Sequence, residues 1–122
     1  MSEFKKIVCL DFDGVIHSYE SGWQGACSIV DEPVEGAIEY IGELMDAGFE
    51  VGIFSSRNGE RGAIQTMKLW LIKWGLNGWH LANLKFYTEK PPAHITIDDR
   101  AKQFRGHFPP IDYIRHFKPW NK

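Results

Sequence analysis

Short apolar runs and longer stretches with helical spacing alternate along the chain. Four runs predict β-strands: Ile7–Leu10, 49–54, 84–87 and Ile95–Ile97. Between them, apolar residues recur at three- and four-residue steps over about 33–47 and 60–74, which predicts two helices. Strands and helices that alternate in this way predict an α/β fold, with helices on both faces of a mostly parallel sheet in three layers, α/β/α.

The remaining segments have no clear period. Residues 14–30 are rich in Gly, Ser and aromatic residues, which predicts a loop or an irregular hairpin. The part of the chain beyond Gly106 carries three prolines and has room for one short helix near residues 111–117. At 122 residues the whole chain, 1–122, is expected to form a single domain, because a second hydrophobic core would not fit.

Charge and cysteine content narrow the class of protein. Fourteen Lys and Arg against sixteen Asp and Glu give a formal charge of −2. This balance gives no strong indication of nucleic-acid binding, although a local basic patch is still possible. Cys9 and Cys27 fit neither a metal knuckle nor a disulfide framework, so a cytoplasmic location is expected. The apolar run after Lys5 and Lys6 is too short for a signal peptide or a membrane span, so no membrane partner is expected. The oligomeric state stays open.

An acidic motif, Asp11-Phe12-Asp13-Gly14, directly follows the first predicted strand. Alternation along an extended chain puts Asp11 and Asp13 on the same side, and Gly14 allows a sharp turn behind them. One carboxylate can attack phosphorus, and a second one nearby can protonate a leaving oxygen and later deprotonate water. The same residues would also suit a polar turn at the end of a strand.

Three further polar groups lie at or just beyond predicted strand ends. Ser55-Ser56-Arg57 follows the second strand, Lys90 lies between the third and fourth, and Asp98-Asp99 follows the fourth. Hydroxyls and a lysine can hold phosphate oxygens, and an acidic pair suits Mg²⁺, which prefers oxygen ligands. Each group alone also fits a plainer role as a helix cap, a surface lysine or a turn. Because parallel strands end at one edge of a sheet, all four groups are expected to converge there.

These four groups, in this order, resemble motifs I to IV of the haloacid dehalogenase superfamily, which has a Rossmann-like fold. The similarity extends from Ile7 to about Phe104, and the stretch from Glu89 to Ala101 is its most specific part after motif I. The resemblance implies a Mg²⁺-dependent hydrolase that cleaves a phosphomonoester through an aspartyl-phosphate. The identity of the phosphorylated substrate is not encoded in any motif.

The resemblance also implies a role for each matching residue. Asp11 would be the nucleophile, and Asp13 the general acid and then base, with its backbone carbonyl on Mg²⁺. Ser55 and Lys90 would hold the oxygens of the transferring phosphoryl group. In the pair Asp98-Asp99 the second residue is expected to bind the metal directly, with the first beside it.

The chain differs from members of the superfamily in some motif residues and in the length of the segments between motifs. Asp13 is present where dehalogenases of the superfamily generally lack a second aspartate, which favours phosphoryl chemistry. The two positions at which the family inserts cap domains are too short here, so a capless protein with a short flap is expected. Motif II reads Ser-Ser-Arg where many relatives have asparagine after the hydroxyl residue. Ser56, Arg57 and Asn58 are therefore candidate substrate-binding residues, although Asn58 also suits a helix cap. His17 lies in the predicted flap and is a further candidate, although packing of the flap would explain it equally well.

Three other functions remain open from the sequence. A phosphotransfer receiver domain would need its acceptor aspartate where this chain has Ser55, and its acidic pair at the first strand. A non-catalytic binding domain could keep the same fold, although each expected catalytic residue type is present. A nucleic-acid end-processing phosphatase fits motif I and the acidic pair followed by Arg100, but the net charge does not favour it.

Overall fold

Four parallel strands form the central sheet of the computed structural model, which describes residues 5–122. They are β1 Ile7–Leu10, β2 Glu50–Phe54, β3 Lys85–Tyr87 and β4 Ile95–Ile97. Their spatial order is β3-β2-β1-β4, so β1 lies inside the sheet and pairs in parallel with both β2 and β4. Because all four strands run in one direction, their carboxyl ends meet at a single edge.

Within the described residues, four α-helices accompany the sheet: α1 Ala37–Asp46, α2 Ala63–Lys73, α3 Gly78–Asn83 and α4 Ile111–Arg115. Both α1 and α2 contact α3. The fourth helix, α4, has five residues, and none of them is buried. The predicted α/β class with a parallel sheet is confirmed. The three longer helices are α1, α2 and α3.

The hydrophobic core lies between the inner strands and the helices. It contains buried side chains of β1, β2, α1 and α2, among them Val8, Leu10, Val51, Ile53, Ile41, Met67 and Leu71. The core extends past the end of β1, because Phe12 is fully buried and the Trp70 ring packs edge-on against it at a centroid distance of 5.3 Å. Close packing around Phe12 therefore fixes the chain that carries Asp11 and Asp13.

The helix α1 begins four residues later than predicted, because the preceding chain is bonded elsewhere. Pro33 forms an antiparallel bridge with His17, and the Val34 N–H donates to the Ile16 carbonyl at 2.8 Å. Gly36 then has a left-handed conformation with a φ of 82°, and α1 starts at the next residue. These bonds hold the two ends of the flap, residues 14–36, against each other.

Among the described residues, the structure has one α-helix that the sequence pattern did not predict. The helix missing from the prediction is α3, whose six residues are too few to show an amphipathic period. Its start is marked by Asn77, whose side chain accepts a hydrogen bond from the His80 N–H at 2.7 Å. Neither the flap nor the segment between β2 and β3 holds a further domain, as predicted for a protein without a cap.

None of the helices in residues 5–122 has the length and hydropathy needed to cross a membrane. The longest of them, α2, has 11 residues, whereas a helical span needs about 20.

Candidate active site

A cavity of about 440 Å³ lies at the carboxyl edge of the sheet. It is lined by residues at the ends of β1, β2 and β4 and by two aromatic residues of the flap: Asp11, Asp13, Tyr19, Trp23, Phe54, Ser55, Ser56, Asp98, Asp99 and Arg100. Six of the ten predicted site residues share this cavity, because the strands that carry them end at the same edge.

Three carboxylates come together in this cavity. Asp11, Asp98 and Asp99 each offer one oxygen, and these oxygens lie within 4.8 Å of one another. The Asp11 N–H donates to the Ile97 carbonyl at 2.9 Å, which aligns the ends of β1 and β4. The Asp98 carboxylate accepts a hydrogen bond from the Arg100 N–H at 2.8 Å, which closes a turn. Burial, followed by the hydrogen bond with Asp99 and the charge of Asp98, raises the pKa of Asp11 to about 8.

The surroundings of Asp99 fit a divalent cation. Its Oδ1 atom is buried and has no hydrogen-bond partner among the described residues, although buried polar atoms are normally paired. The carboxylate lies against Gly14, where an added Cβ atom would come within 2.7 Å of the Asp99 Cγ atom. Three crowded carboxylates with an unpaired oxygen are a donor set that suits Mg²⁺, which takes oxygen ligands and keeps several waters.

Asp13 is held differently from the three clustered carboxylates. Arg57 donates to it twice, from Nε to Oδ2 at 2.8 Å and from Nη2 to Oδ1 at 3.1 Å, and His17 Nδ1 donates to Oδ1 at 2.8 Å. The Asp31 N–H donates to His17 Nε2 at 3.2 Å, which leaves the proton of a neutral imidazole on Nδ1. Burial disfavours the Asp13 carboxylate, but the hydrogen bonds from His17 and Arg57 outweigh it and lower the pKa of Asp13. Asp13 is therefore ionised at neutral pH.

Arg57 joins the flap to Asp13. Its side chain is fully buried, and the guanidinium lies over the Trp23 ring at 4.8 Å from the centroid. The Nη1 atom donates at 2.8, 2.9 and 3.3 Å to three flap carbonyls, those of Gly25, Ala26 and Ser28. All three guanidinium nitrogens are thus bonded to protein atoms. Arg57 is placed to position Asp13 and the flap, and contact with a substrate would require it to give up these bonds.

Two more of the predicted substrate-binding residues are buried outside the cavity. His17 is fully buried beside Asp13, and Asn58 is buried at the end of β2. The Asn58 Nδ2 atom donates to the carbonyl of Ile53 at 2.9 Å and to that of Tyr87 at 2.7 Å. Asn58 therefore links the ends of β2 and β3, while Ser56 is exposed and lines the cavity.

Lys90, predicted to hold a phosphoryl oxygen, does not line the cavity. Its side chain is exposed. A role in phosphate binding stays a prediction, and it requires the connection between β3 and β4 to bring the side chain inward.

Arg100 does line the cavity. Arg100 supports the end-processing alternative but is not among the predicted site residues, although a cation directly after an acidic pair at a strand end is a usable signal; Tyr19 has no such signal.

Comparisons with known proteins add little to this geometry. No family model matches the chain, and no curated protein matches it. Among solved structures, the crystal structure of D,D-heptose 1,7-bisphosphate phosphatase from Burkholderia thailandensis is similar, with 24% identity and a TM-score of 0.40. The match covers 68% of this chain and 52% of that one, so the chain spans about half the length of that protein. A similarity with a TM-score this low does not indicate a function.

Proposed function

We propose that this protein is a Mg²⁺-dependent phosphohydrolase that cleaves phosphomonoesters, a capless member of the haloacid dehalogenase superfamily. The observation that carries the proposal is the carboxylate cluster: Asp11, Asp98 and Asp99 offer oxygens within 4.8 Å of one another, from the ends of two adjacent strands. Ser55 and Ser56 line the same cavity and supply hydroxyls for phosphate oxygens. The order of the four sequence motifs supports the same function.

The residues present fit a bound Mg²⁺ ion. Asp11, Asp99 and the backbone carbonyl of Asp13 would hold it, with Asp98 beside them. When bound, the ion offsets the repulsion between the carboxylates and an incoming phosphate and stabilises negative charge on the phosphoryl oxygens.

The chain's own residues can carry out the reaction in two steps. In the first, an Asp11 oxygen attacks phosphorus, the bond from phosphorus to the ester oxygen breaks, and the leaving oxygen takes a proton from Asp13. In the second, Asp13 takes a proton from water, and the water oxygen attacks the aspartyl-phosphate to release inorganic phosphate and restore Asp11. The ionised Asp13 of the free protein suits the second step, and the approach of an anionic phosphate raises its pKa for the first.

A screen over phosphomonoesters tests this function. Hydrolysis of p-nitrophenyl phosphate and of part of the panel is expected with Mg²⁺ and is expected to disappear in EDTA. The ranking of the panel by kcat/KM would also identify the substrate class. Hydrolysis that continues unchanged in EDTA would exclude the metal mechanism, and no hydrolysis of any member of the panel would exclude the phosphatase function.

Substituting Gly14 with alanine is expected to remove most of the rise in melting temperature that Mg²⁺ produces. The new Cβ atom would collide with the Asp99 carboxylate and displace it. Gly48→Ala is the matched control: Gly14 and Gly48 have φ of 87° and 95°, but no atom lies within 4 Å of an added Cβ at Gly48. Both variants bear a backbone cost of roughly 1–3 kcal/mol, and only the first disturbs the cluster. Equal responses to Mg²⁺ in the two variants would exclude Asp99 as a ligand.

A cytoplasmic location is also part of the proposal. Cys9 is buried and Cys27 is exposed, and both are free thiols. An exposed free thiol persists most easily in a reducing compartment.

A further inference from the structure

The C-terminal tail, residues 100–122, differs in charge from the rest of the chain. It holds six of the fourteen Lys and Arg residues but only one of the sixteen Asp and Glu residues, a formal charge of +5. The first 99 residues hold the other eight basic and fifteen acidic residues, a formal charge of −7. The overall charge of −2 therefore conceals a basic segment of the kind that attracts a polyanion.

The same tail displays aromatic rings to solvent. It carries five exposed aromatic side chains: Phe104, Phe108, Tyr113, Phe117 and Trp120. Phe108 is 87% exposed and Trp120 67% exposed, and no residue of α4 is buried. Prolines at positions 109, 110 and 119 restrict the backbone between these rings. Exposed apolar groups that cluster in one segment mark a surface that binds something.

One end of the tail lines the active-site cavity, and the other end contacts the chain directly after Asp13. At one end, Arg100 lines the cavity itself. At the other end, the Trp120 Nε1 atom donates to the Gly14 carbonyl of motif I at 2.9 Å. Trp120 also lines a second cavity, of about 260 Å³, together with Asp98 and Asp99. A ligand that lies along the tail can therefore extend to the carboxylate cluster.

We propose that the tail binds single-stranded nucleic acid and directs its terminal phosphomonoester to Asp11. The bases stack on the exposed aromatic rings, and the phosphates of the backbone pair with the Lys and Arg side chains, a set of contacts that tolerates any base sequence. The inference rests on the phosphatase function proposed above and names its substrate class. The bond that breaks joins the terminal phosphorus to the sugar oxygen, through the two steps already given, with water as co-reactant.

A second copy of this chain is the main competing occupant of the tail. A two-fold dimer through the tail would bring two surfaces of charge +5 together, and such like-charge contact opposes association. A single-stranded polynucleotide offers both the negative charge and the flat rings that the tail complements. The chemistry of the tail therefore favours nucleic acid.

Direct binding of a labelled oligonucleotide tests the proposal. A fluorescein-labelled single strand without a terminal phosphate is titrated with the protein in EDTA, and anisotropy reports binding independently of the chemistry at Asp11. Binding is expected at low salt, and log K should fall with log salt by about 0.7 for each phosphate contacted. The triple variant Lys102→Glu, Arg105→Glu, Lys118→Glu is expected to bind at least about tenfold more weakly, and Phe108→Ala about tenfold more weakly.

Trp79→Ala and Lys85→Glu are the matched controls. Both residues are exposed and line a cavity with Glu50 at the amino ends of β2 and β3, away from the carboxyl edge. These variants are expected to bind like the wild type. Absence of binding at low salt, or equal losses in the control variants, would overturn the proposal. A dimer in sedimentation that the tail substitutions disrupt would also overturn it, because a second copy would then occupy the tail.

Catalysis is measured separately, so that the two proposals can fail independently. With Mg²⁺, kcat/KM is compared for a 3′- or 5′-phosphorylated oligonucleotide and for p-nitrophenyl phosphate. The wild type is expected to prefer the oligonucleotide, and the triple variant to lose that preference. Hydrolysis of p-nitrophenyl phosphate without oligonucleotide binding would remove the nucleic-acid inference alone. Binding without any hydrolysis would remove the phosphatase function and leave the tail as a binding surface.

Discussion

Replacing Asp11 with asparagine is expected to reduce phosphomonoester hydrolysis by at least about a thousandfold while raising the melting temperature of the metal-free protein. Activity is lost because an amide offers no carboxylate oxygen to attack phosphorus. Stability rises because the change removes one of three carboxylates whose oxygens lie within 4.8 Å of one another. Initial rates with Mg²⁺ and thermal unfolding in EDTA measure the two effects separately.

The gain in stability should depend on pH in a defined direction. In the folded protein the pKa of Asp11 is about 8, above its ordinary value of 3.8. The folded state therefore binds this proton more tightly than the unfolded chain, and the resulting stability is lost as the pH rises from about 4 to about 8. Asparagine has no such proton, so the gain of Asp11→Asn over the wild type should grow across this range and level off above about pH 8. A melting difference that stays constant over this range would contradict the crowding of the three carboxylates.

Glu43→Gln is the control for this prediction. Glu43 is exposed on α1, far along the chain from the cluster, and the substitution likewise replaces one carboxyl group with an amide. It is expected to change neither the rate nor the pH dependence of melting. If it stabilised the protein as much as Asp11→Asn does, the cause would be net charge and not the local arrangement of carboxylates.

Replacing Arg57 with alanine is expected to lower the free energy of unfolding by roughly 3–5 kcal/mol, because it leaves Asp13 without its buried partner. Three flap carbonyls lose their donor in the same step. Arg57→Lys keeps the charge but loses the planar fork that contacts Asp13 and the flap together, so an intermediate loss is expected. Urea denaturation followed by tryptophan fluorescence measures all three proteins.

Arg61→Ala provides the comparison, because Arg61 is exposed and lies four positions further along the chain. A loss of less than about 0.5 kcal/mol is expected there, as for most surface substitutions. If Arg57→Ala were equally mild, Arg57 would not be buried against Asp13 and the flap in solution.

Strand ends are the part of the site that sequence reasoning predicts well. An apolar run that stops at a charged residue, such as Ile7–Leu10 before Asp11, is a local signal. Once the strands are parallel, their ends share an edge, so Ser55 and the pair Asp98-Asp99 can be placed near Asp11 without a structure. Asp11, Ser55, Asp98 and Asp99 all line the observed cavity.

The partners of individual side chains are not encoded locally. Arg57 has the same sequence context whether it contacts a ligand or Asp13, and its burial depends on flap carbonyls about 30 positions earlier in the chain. The burial of His17 likewise depends on the flap folding so that His17 forms a bridge with Pro33, 16 positions later in the chain. The net charge is a further example, because a single sum for the chain does not report where the basic residues lie.

The strand order has a consequence for how activity arises during synthesis. The inner strand β1 emerges from the ribosome first, but its second neighbour, β4, is made only after most of the chain. A nascent chain that contains Asp11 but not yet β4 therefore lacks Asp98 and Asp99, the other two carboxylates of the cluster. Contacts between such distant segments form late, because a long stretch of chain must be ordered to close them. Chains that end before β4 should consequently be inactive. Activity should appear in a single step once β4 has paired with β1 and the acidic pair lies beside Asp11.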